Sequence, residues 1–308
     1  MHRFLSFGFA PFLLLMIFTL SPDPLAAAES SIVIDGQSGR VLLAHRAEAT
    51  RAIASLTKIA TVAVALEWVL QNNADLTATM NVTASSMVGG ANPLGLQKGD
   101  LLPLDSALTA AMMASDNSSA LVIAESIGGY LASETSGPDA IAAFVSRMNE
   151  LAAKLAMKNT HFANPHGLDT ADAAGHSSAS DLAILARHAY TIPELIQYAS
   201  SKERTVTFFR EGRTKSVRLL NTHELIGSRG VDGLKTGTTL AAGPCLITSA
   251  QGGAEGGRAD ERLIVVVLGS QDRFRETVLL LDKGWEALAA PIPDLPALPK
   301  EGLRKGGN

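Results

Sequence analysis

Hydrophobic positions follow two different periods along the chain, and their order predicts the fold. Ser31–Asp35 and Arg40–Ala44 are short β-like runs around the turn residues Gln37, Ser38 and Gly39, a hairpin pattern. The most apolar helix-like stretch follows from Ala54 to Leu70 and opens with Ser55, Leu56, Thr57 and Lys58. Between Asn72 and Asp105, Gly89, Gly90, Pro93, Gly95, Gly99 and Pro103 break the pattern into loops and short strands. Helical spacing resumes with Asp105 as the expected cap and runs to Met113, and a second helix follows Asn117 through Glu125. Asp139–Met157 carries Ile141, Phe144, Val145, Met148, Leu151 and Leu155 on one face, and Ser180 with Asp181 begins another helix through Tyr190. Residues 75 to 195, in round terms, therefore read as a helical lobe.

Beyond Pro193 the character changes again, to β-like runs. Arg204–Phe209 and Lys215–Leu220 flank Glu211, Gly212 and Arg213 as a second hairpin, and Leu234–Thr238, Cys245–Ala250 and Leu263–Gly269 add three strands before a closing helix from Arg273 to Leu288. Strands come from both ends of the chain and helices from its middle. That order predicts an α+β fold, an antiparallel sheet flanked by helices plus the helical lobe.

The N-terminus has the three parts of a secretory signal: His2 and Arg3, an apolar run from Phe4 to Leu20, and the small residues Ala26, Ala27 and Ala28. We read residues 1–28 as a signal peptide, with an uncleaved anchor helix as the competing possibility, residues 29–287 as the mature domain, and 288–308 as a disordered tail rich in Pro, Gly and charge. No stable membrane anchor is expected after cleavage.

Composition narrows the class further. At 46% hydrophobic and 18% charged residues, the 308-residue chain can bury a large core. A net charge of −4 without a basic run, and 5% aromatic residues, argue against nucleic acid as a partner. The single cysteine, Cys245, excludes an internal disulfide and reads as a buried structural thiol. Export without a disulfide framework suits the periplasm or cell wall. His161, His166 and His176 lack the spacing of a helical ligand pair, so they read as structural, and neither metal nor cofactor is expected. Glu150 reads as part of a solvated helix face.

Candidate chemistry starts at Ser55. Residues three apart share a helix face, so a helix starting at the serine brings Ser55 and Lys58 together. Free N–H groups and the helix dipole there favour a serine oxygen that becomes anionic. Apolar neighbours (Ile59, Ala60, Val62, Ala63) favour loss of the Lys58 proton, making it a general base. Alone, Ser-x-x-Lys arises roughly once by chance in a chain of this size.

Two later clusters change those odds: Ser115, Asp116, Asn117 between two helices, and Lys235, Thr236, Gly237 on a strand. This ordered set is that of penicillin-binding proteins and class A β-lactamases. Ser55 is then the nucleophile, Lys58 its base and Ser115 a proton relay. Asn117 presents its amide to a substrate peptide bond or to Lys58. Lys235 and Thr236 suit a substrate carboxylate, Gly237 lets the strand approach, and the N–H groups of Ser55 and Thr238 form an oxyanion hole.

With these motifs, Asn164–Leu168, Ser178–Leu182, Val231–Thr239 and Gly284–Trp285, the chain resembles the D-alanyl-D-alanine carboxypeptidases, the low-molecular-mass penicillin-binding proteins, over about residues 30 to 287. The resemblance implies a penicillin-binding protein / β-lactamase-like fold. It also implies a serine D-Ala-D-Ala carboxypeptidase acting on peptidoglycan stem peptides, with β-lactam antibiotics as covalent inhibitors. It aligns Arg275 with an arginine that helps hold the substrate carboxylate. Asp116 stands where this family usually has glycine, and Ile53 where it usually has proline. The early end after Trp285 resembles the soluble endopeptidase branch, which cuts cross-links between stems. The same motifs would also serve a β-lactamase or a non-catalytic β-lactam sensor.

Overall fold

The structure is a computed structural model, and it describes residues 28–87, 89–135, 139–168, 174–253 and 256–290. Of the residues read as a signal peptide (1–28) all but Ala28 lie outside the described residues, as do residues 291–308 of the expected tail; Leu288 and Ala289, placed in that tail from the sequence, instead close the last helix, Arg273–Ala289.

A five-stranded antiparallel sheet has the order β2-β1-β9-β8-β7, built from β1 (Ser30–Asp35), β2 (Val41–His45), β7 (Val231–Thr239), β8 (Gly243–Gln251) and β9 (Arg262–Leu268). Strands from both chain ends meet where β1 pairs with β9, Ile32 opposite Val266. Alternation sorts the side chains to two faces. Ile32, Ile34, Ile264, Val266 and Leu268 face the main core with α1 (Lys58–Asn72) and α5 (Ala179–Ala189), while Val33, Leu263, Val265 and Val267 face Leu280, Leu281 and Trp285 of α7 (Arg273–Ala289). Each such branched side chain, fully buried, contributes roughly 1.5–3 kcal/mol.

The structure corrects the expectation of one sheet. The hairpin β5 (Glu203–Arg210) and β6 (Arg213–Leu220) joins β3 (Thr79–Asn81) and β4 (Leu101–Pro103) in a separate four-stranded sheet of order β3-β4-β5-β6. Val206, Phe208 and Leu219 bury its inner face in the main core. The lobe consists of α2 (Leu104–Met113), α3 (Asn117–Thr135) and α4 (Ala140–Lys154) around α1, whereas α5 packs on β1 and β9 of the large sheet.

Three local readings also change. Asp105 lies inside α2, which follows Pro103, and its carboxylate accepts from the Tyr198 hydroxyl at 2.8 Å. Pro193 begins a helix, α6 (Pro193–Ser200), because proline is tolerated at a first helical position; Leu195, Tyr198 and Ala199 are its buried face. Ser55 does not open α1: Ala54–Thr57 form a 3₁₀ turn, and the α-helix begins at Lys58. The stretch Ala54–Asn72 has the length and apolarity of a membrane span, but Lys58 through Leu66 are all buried by protein.

Candidate active site

In a 3₁₀ turn side chains at i and i+3 eclipse, so the turn aligns Ser55 with Lys58 more directly than an α-helix would. Ala54, just before the nucleophile position, holds φ of +50°, a conformation costly for a residue with a Cβ. Its carbonyl accepts from the Thr57 hydroxyl at 2.9 Å, which fixes the turn.

The Lys58 amine is fully buried and has three oxygen neighbours: Ser55 Oγ at 2.9 Å, Asn117 Oδ1 at 2.6 Å and the His166 carbonyl at 2.8 Å. Asn117 is oriented for this role, because its amide nitrogen donates to the Gly89 carbonyl. The His166 carbonyl comes from a turn closed by Asn164, whose Oδ1 accepts from the Gly167 N–H at 2.6 Å and whose amide donates to the Leu168 carbonyl at 2.6 Å. Thr61 of α1 ties the same turn down by donating to the Pro165 carbonyl at 2.6 Å. Burial lowers the Lys58 pKa well below the usual lysine range; the Lys235 charge adds to this and the Asp116 carboxylate opposes it.

Ser115 holds φ of +58° between α2 and α3 and reaches the same cavity as Ser55. This cavity, of about 380 Å³, is also lined by Gly90, Ala91, Asn117, Thr236, Gly237 and Thr238. Strand β7 forms one wall. A Cβ on Gly237 would lie 2.9 Å from the Ser55 nitrogen, so glycine is what lets the strand approach the serine. Lys235 is buried, donates to the Thr236 carbonyl at 2.9 Å, and has its pKa lowered to about 7 by burial and then by the charge of Arg273.

Two cavity residues had no signal in the sequence. Thr222, on the connection between β6 and β7, shares a 2.6 Å hydrogen bond with the Thr236 hydroxyl. The other is Arg273, and it corrects the expectation placed on Arg275. Arg273 lines the cavity and donates to the Gly237 carbonyl at 3.0 Å and to Thr238 Oγ1 at 2.9 Å. Arg275 is exposed, and its backbone N–H donates to the Asp272 carboxylate at 3.1 Å in the cap of α7. Positions two apart on a helix point about 200° apart, so only one of the pair can face the site.

The remaining sequence candidates lie elsewhere. His161 and His176 pair backbone to backbone at 2.9 Å in both directions, and Glu150 is an exposed partner of Arg147 at 3.0 Å. Cys245 is buried on β8 opposite Gly237. Among the described residues there is no group of three His, Cys, Asp or Glu placed to hold a metal ion.

A family model described as D-alanyl-D-alanine carboxypeptidase matches residues 18–272. The chain belongs to this family. It is 32% identical over 262 residues to the D-alanyl-D-alanine carboxypeptidase DacF of Bacillus subtilis, covering 83% of this chain and 61% of that protein. With DacC of Escherichia coli it shares 32% over 284 residues, covering 89% of this chain and 65% of the relative. It thus spans less than two thirds of either. Among solved structures, penicillin-binding protein D2 of Listeria monocytogenes in its ampicillin-bound form superposes with a TM-score of 0.70 at 28% identity, over 84% of this chain and 97% of that one. The carboxypeptidase family fold is therefore an α+β fold here, and it brings Ser55, Lys58, Ser115, Asn117 and Lys235–Thr238 to one place.

Proposed function

We propose that this carboxypeptidase-family chain is a serine-type D-Ala-D-Ala carboxypeptidase that acts on peptidoglycan stem peptides through an acyl-enzyme on Ser55. The observation that carries this reading is the set of acceptors around Lys58. A neutral amine has two N–H donors and one lone pair. Asn117 Oδ1 and the His166 carbonyl can only accept, so they take both N–H groups. The lone pair is left for the Ser55 hydroxyl. Lys58 is thus oriented as the general base, and burial favours its neutral form.

In the acylation step Ser55 Oγ attacks the carbonyl carbon of the penultimate D-alanine while its proton passes to Lys58. The oxyanion forms against the N–H groups of Ser55 and Thr238. Collapse breaks the C–N bond, and the departing D-alanine amine takes the proton through Lys58 and Ser115. Water then attacks the ester, and Ser55 regains its proton. Lys235, the hydroxyls of Thr236 and Thr238, and Arg273 hold the terminal carboxylate. A β-lactam follows the same first step but keeps its leaving nitrogen tethered, and the ampicillin-bound relative supports that partner for this chain. The leader-like N-terminus supports a site of action outside the cytoplasm, in the periplasm or cell wall.

Incubation with purified muropeptides, scored by mass, tests the reading. Release of D-alanine from pentapeptide stems is expected. Splitting of cross-linked dimers without that release would instead make the chain an endopeptidase.

The carboxylate anchor gives two further expectations. Arg273→Ala raises KM for a D-Ala-D-Ala peptide by about tenfold, the scale of a lost charged hydrogen bond, while Arg275→Ala leaves it within twofold. Lys235 is charged below its pKa of about 7 and neutral above it. Rising pH therefore weakens carboxylate binding, and kcat/KM for a free-acid peptide should fall above about 7. A substrate with the carboxylate amidated should lack that alkaline limb, which pH-rate profiles of the two substrates will compare.

A further inference from the structure

Asp116 is fully buried between Ser115 and Asn117, and the proposed reaction gives it no task. Its carboxylate joins two elements. Oδ1 accepts from the Ser119 N–H at 2.8 Å, capping the first turn of α3, where the helix dipole favours negative charge. Oδ2 accepts from the Leu94 N–H at 3.2 Å, on the loop that supplies Gly90 and Ala91 to the cavity wall.

That loop holds together as one piece. Asn92 closes its tip by bonding the N–H and carbonyl of Leu96, both at 2.9 Å. Its far end is held by Asp100, which receives Arg210 of β5 at 2.8 and 2.7 Å, and Arg210 also reaches the Gly95 carbonyl at 2.7 Å. Its near end is held by Asn117, whose N–H donates to the Ala91 carbonyl at 2.9 Å, and by Asp116.

We propose that Asp116 is a positioning residue: by bridging the α3 cap to Leu94 it sets the spacing between the Gly90–Ala91 wall and the Ser115–Asn117 face, and with it the width of the groove that receives the substrate peptide. The substrate named here rests on the carboxypeptidase reading; the bridge itself does not. Asp116 acts on a second property as well. The charged and titratable groups around the Lys58 amine are Asp116 from the α2–α3 connection, Lys235 from β7 and His166 from the Asn164–Leu168 turn. His166 has its pKa lowered to about 4 by burial and then by Lys58, so it is neutral near pH 7. Burial pushes the Asp116 carboxyl up from the usual carboxylate range, and the hydrogen bonds from Ser119 and Leu94 oppose that; in its ionised form it opposes Lys235 at Lys58, so its removal shifts the protonation of the base toward lower pH.

Asp116→Asn separates these roles. Asparagine caps a helix as well as aspartate does, but it turns an NH₂ group toward the Leu94 N–H, donor against donor. The variant should melt within a few degrees of the wild type. Hydrogen exchange at the Leu94 amide should quicken by about 100-fold, as a wall loop released locally would show. The kcat/KM for the stem peptide should fall by about tenfold, the scale of misplacing a substrate wall. The acid limb of acylation by a fluorescent penicillin should move to lower pH, which a purely structural role would not produce. Unchanged Leu94 exchange, or a peptide kcat/KM within twofold of wild type, would overturn the proposal. If Asp116→Asn does not fold, Asp116→Ser carries the same expectations, since serine keeps the cap and is too short to reach Leu94. A wild-type protein inactive on peptides would defeat the carboxypeptidase reading, and the exchange rate at Leu94 would still decide the bridge.

Discussion

Lys58→Met should slow acylation of Ser55 by about 10³- to 10⁴-fold, the upper range for removal of a general base and its partner contacts. The methionine fills a similar volume in a site that is already fully buried, so the loss of rate should be chemical, and the melting temperature should fall by several degrees while the variant still folds. Replacing a buried amine by an apolar side chain does leave Asn117 Oδ1 and the His166 carbonyl without their donor, a cost of about 1–3 kcal/mol each at most, softened by water entering from the cavity. Stopped-flow acylation by a chromogenic cephalosporin and a thermal melt measure both quantities on the same sample. Lys58→Arg should not rescue the rate, since a guanidinium has no lone pair to accept the serine proton.

Gly167→Ala should have the second large effect, through geometry instead of proton transfer. Gly167 has φ of +86°, and a Cβ there would stand 1.9 Å from the Ala54 carbonyl oxygen and 2.8 Å from Thr57 Oγ1. Both atoms belong to the 3₁₀ turn that presents Ser55. The turn would have to move, and the left-handed backbone would be strained as well. A loss of about 3 kcal/mol in stability is expected from strain and overpacking together. Acylation should fall by about 100-fold or more because the serine leaves the line between Lys58 and the cavity. Denaturant melts and acylation rates at a temperature where the variant remains folded separate the two losses.

Much of the site could be read from the sequence because its parts are side chains in fixed motifs. Ser55, Lys58, Ser115, Asn117 and Lys235–Thr238 come together in the structure, and the runs that became β7, β8 and β9 stand out as short strand-like stretches separated by glycine-rich turns. What escaped has physical causes. The His166 contact to Lys58 is made by a backbone carbonyl, which no residue type announces. Arg273 and Arg275 differ only in helical phase, and that phase is set by Asp272 capping α7 through the Arg275 N–H. The hairpin β5–β6 alternates like any half-buried pair, so its period could not tell which sheet it joins. Pro193 reads as a breaker until its place at the first position of α6 is seen. The 3₁₀ turn at Ser55 hides inside an apolar run whose helical period starts before the α-helix does.

The central claim is that Ser55 carries the acyl group and Lys58 makes it nucleophilic. Mass mapping of the protein after brief incubation with a labelled penicillin tests it most directly, on wild type, Ser55→Ala and Lys58→Met in parallel. One adduct per chain, confined to the peptide containing Ser55, absent from Ser55→Ala and strongly delayed in Lys58→Met, is the predicted result. An adduct on another residue, or unchanged labelling of folded Ser55→Ala, would contradict it.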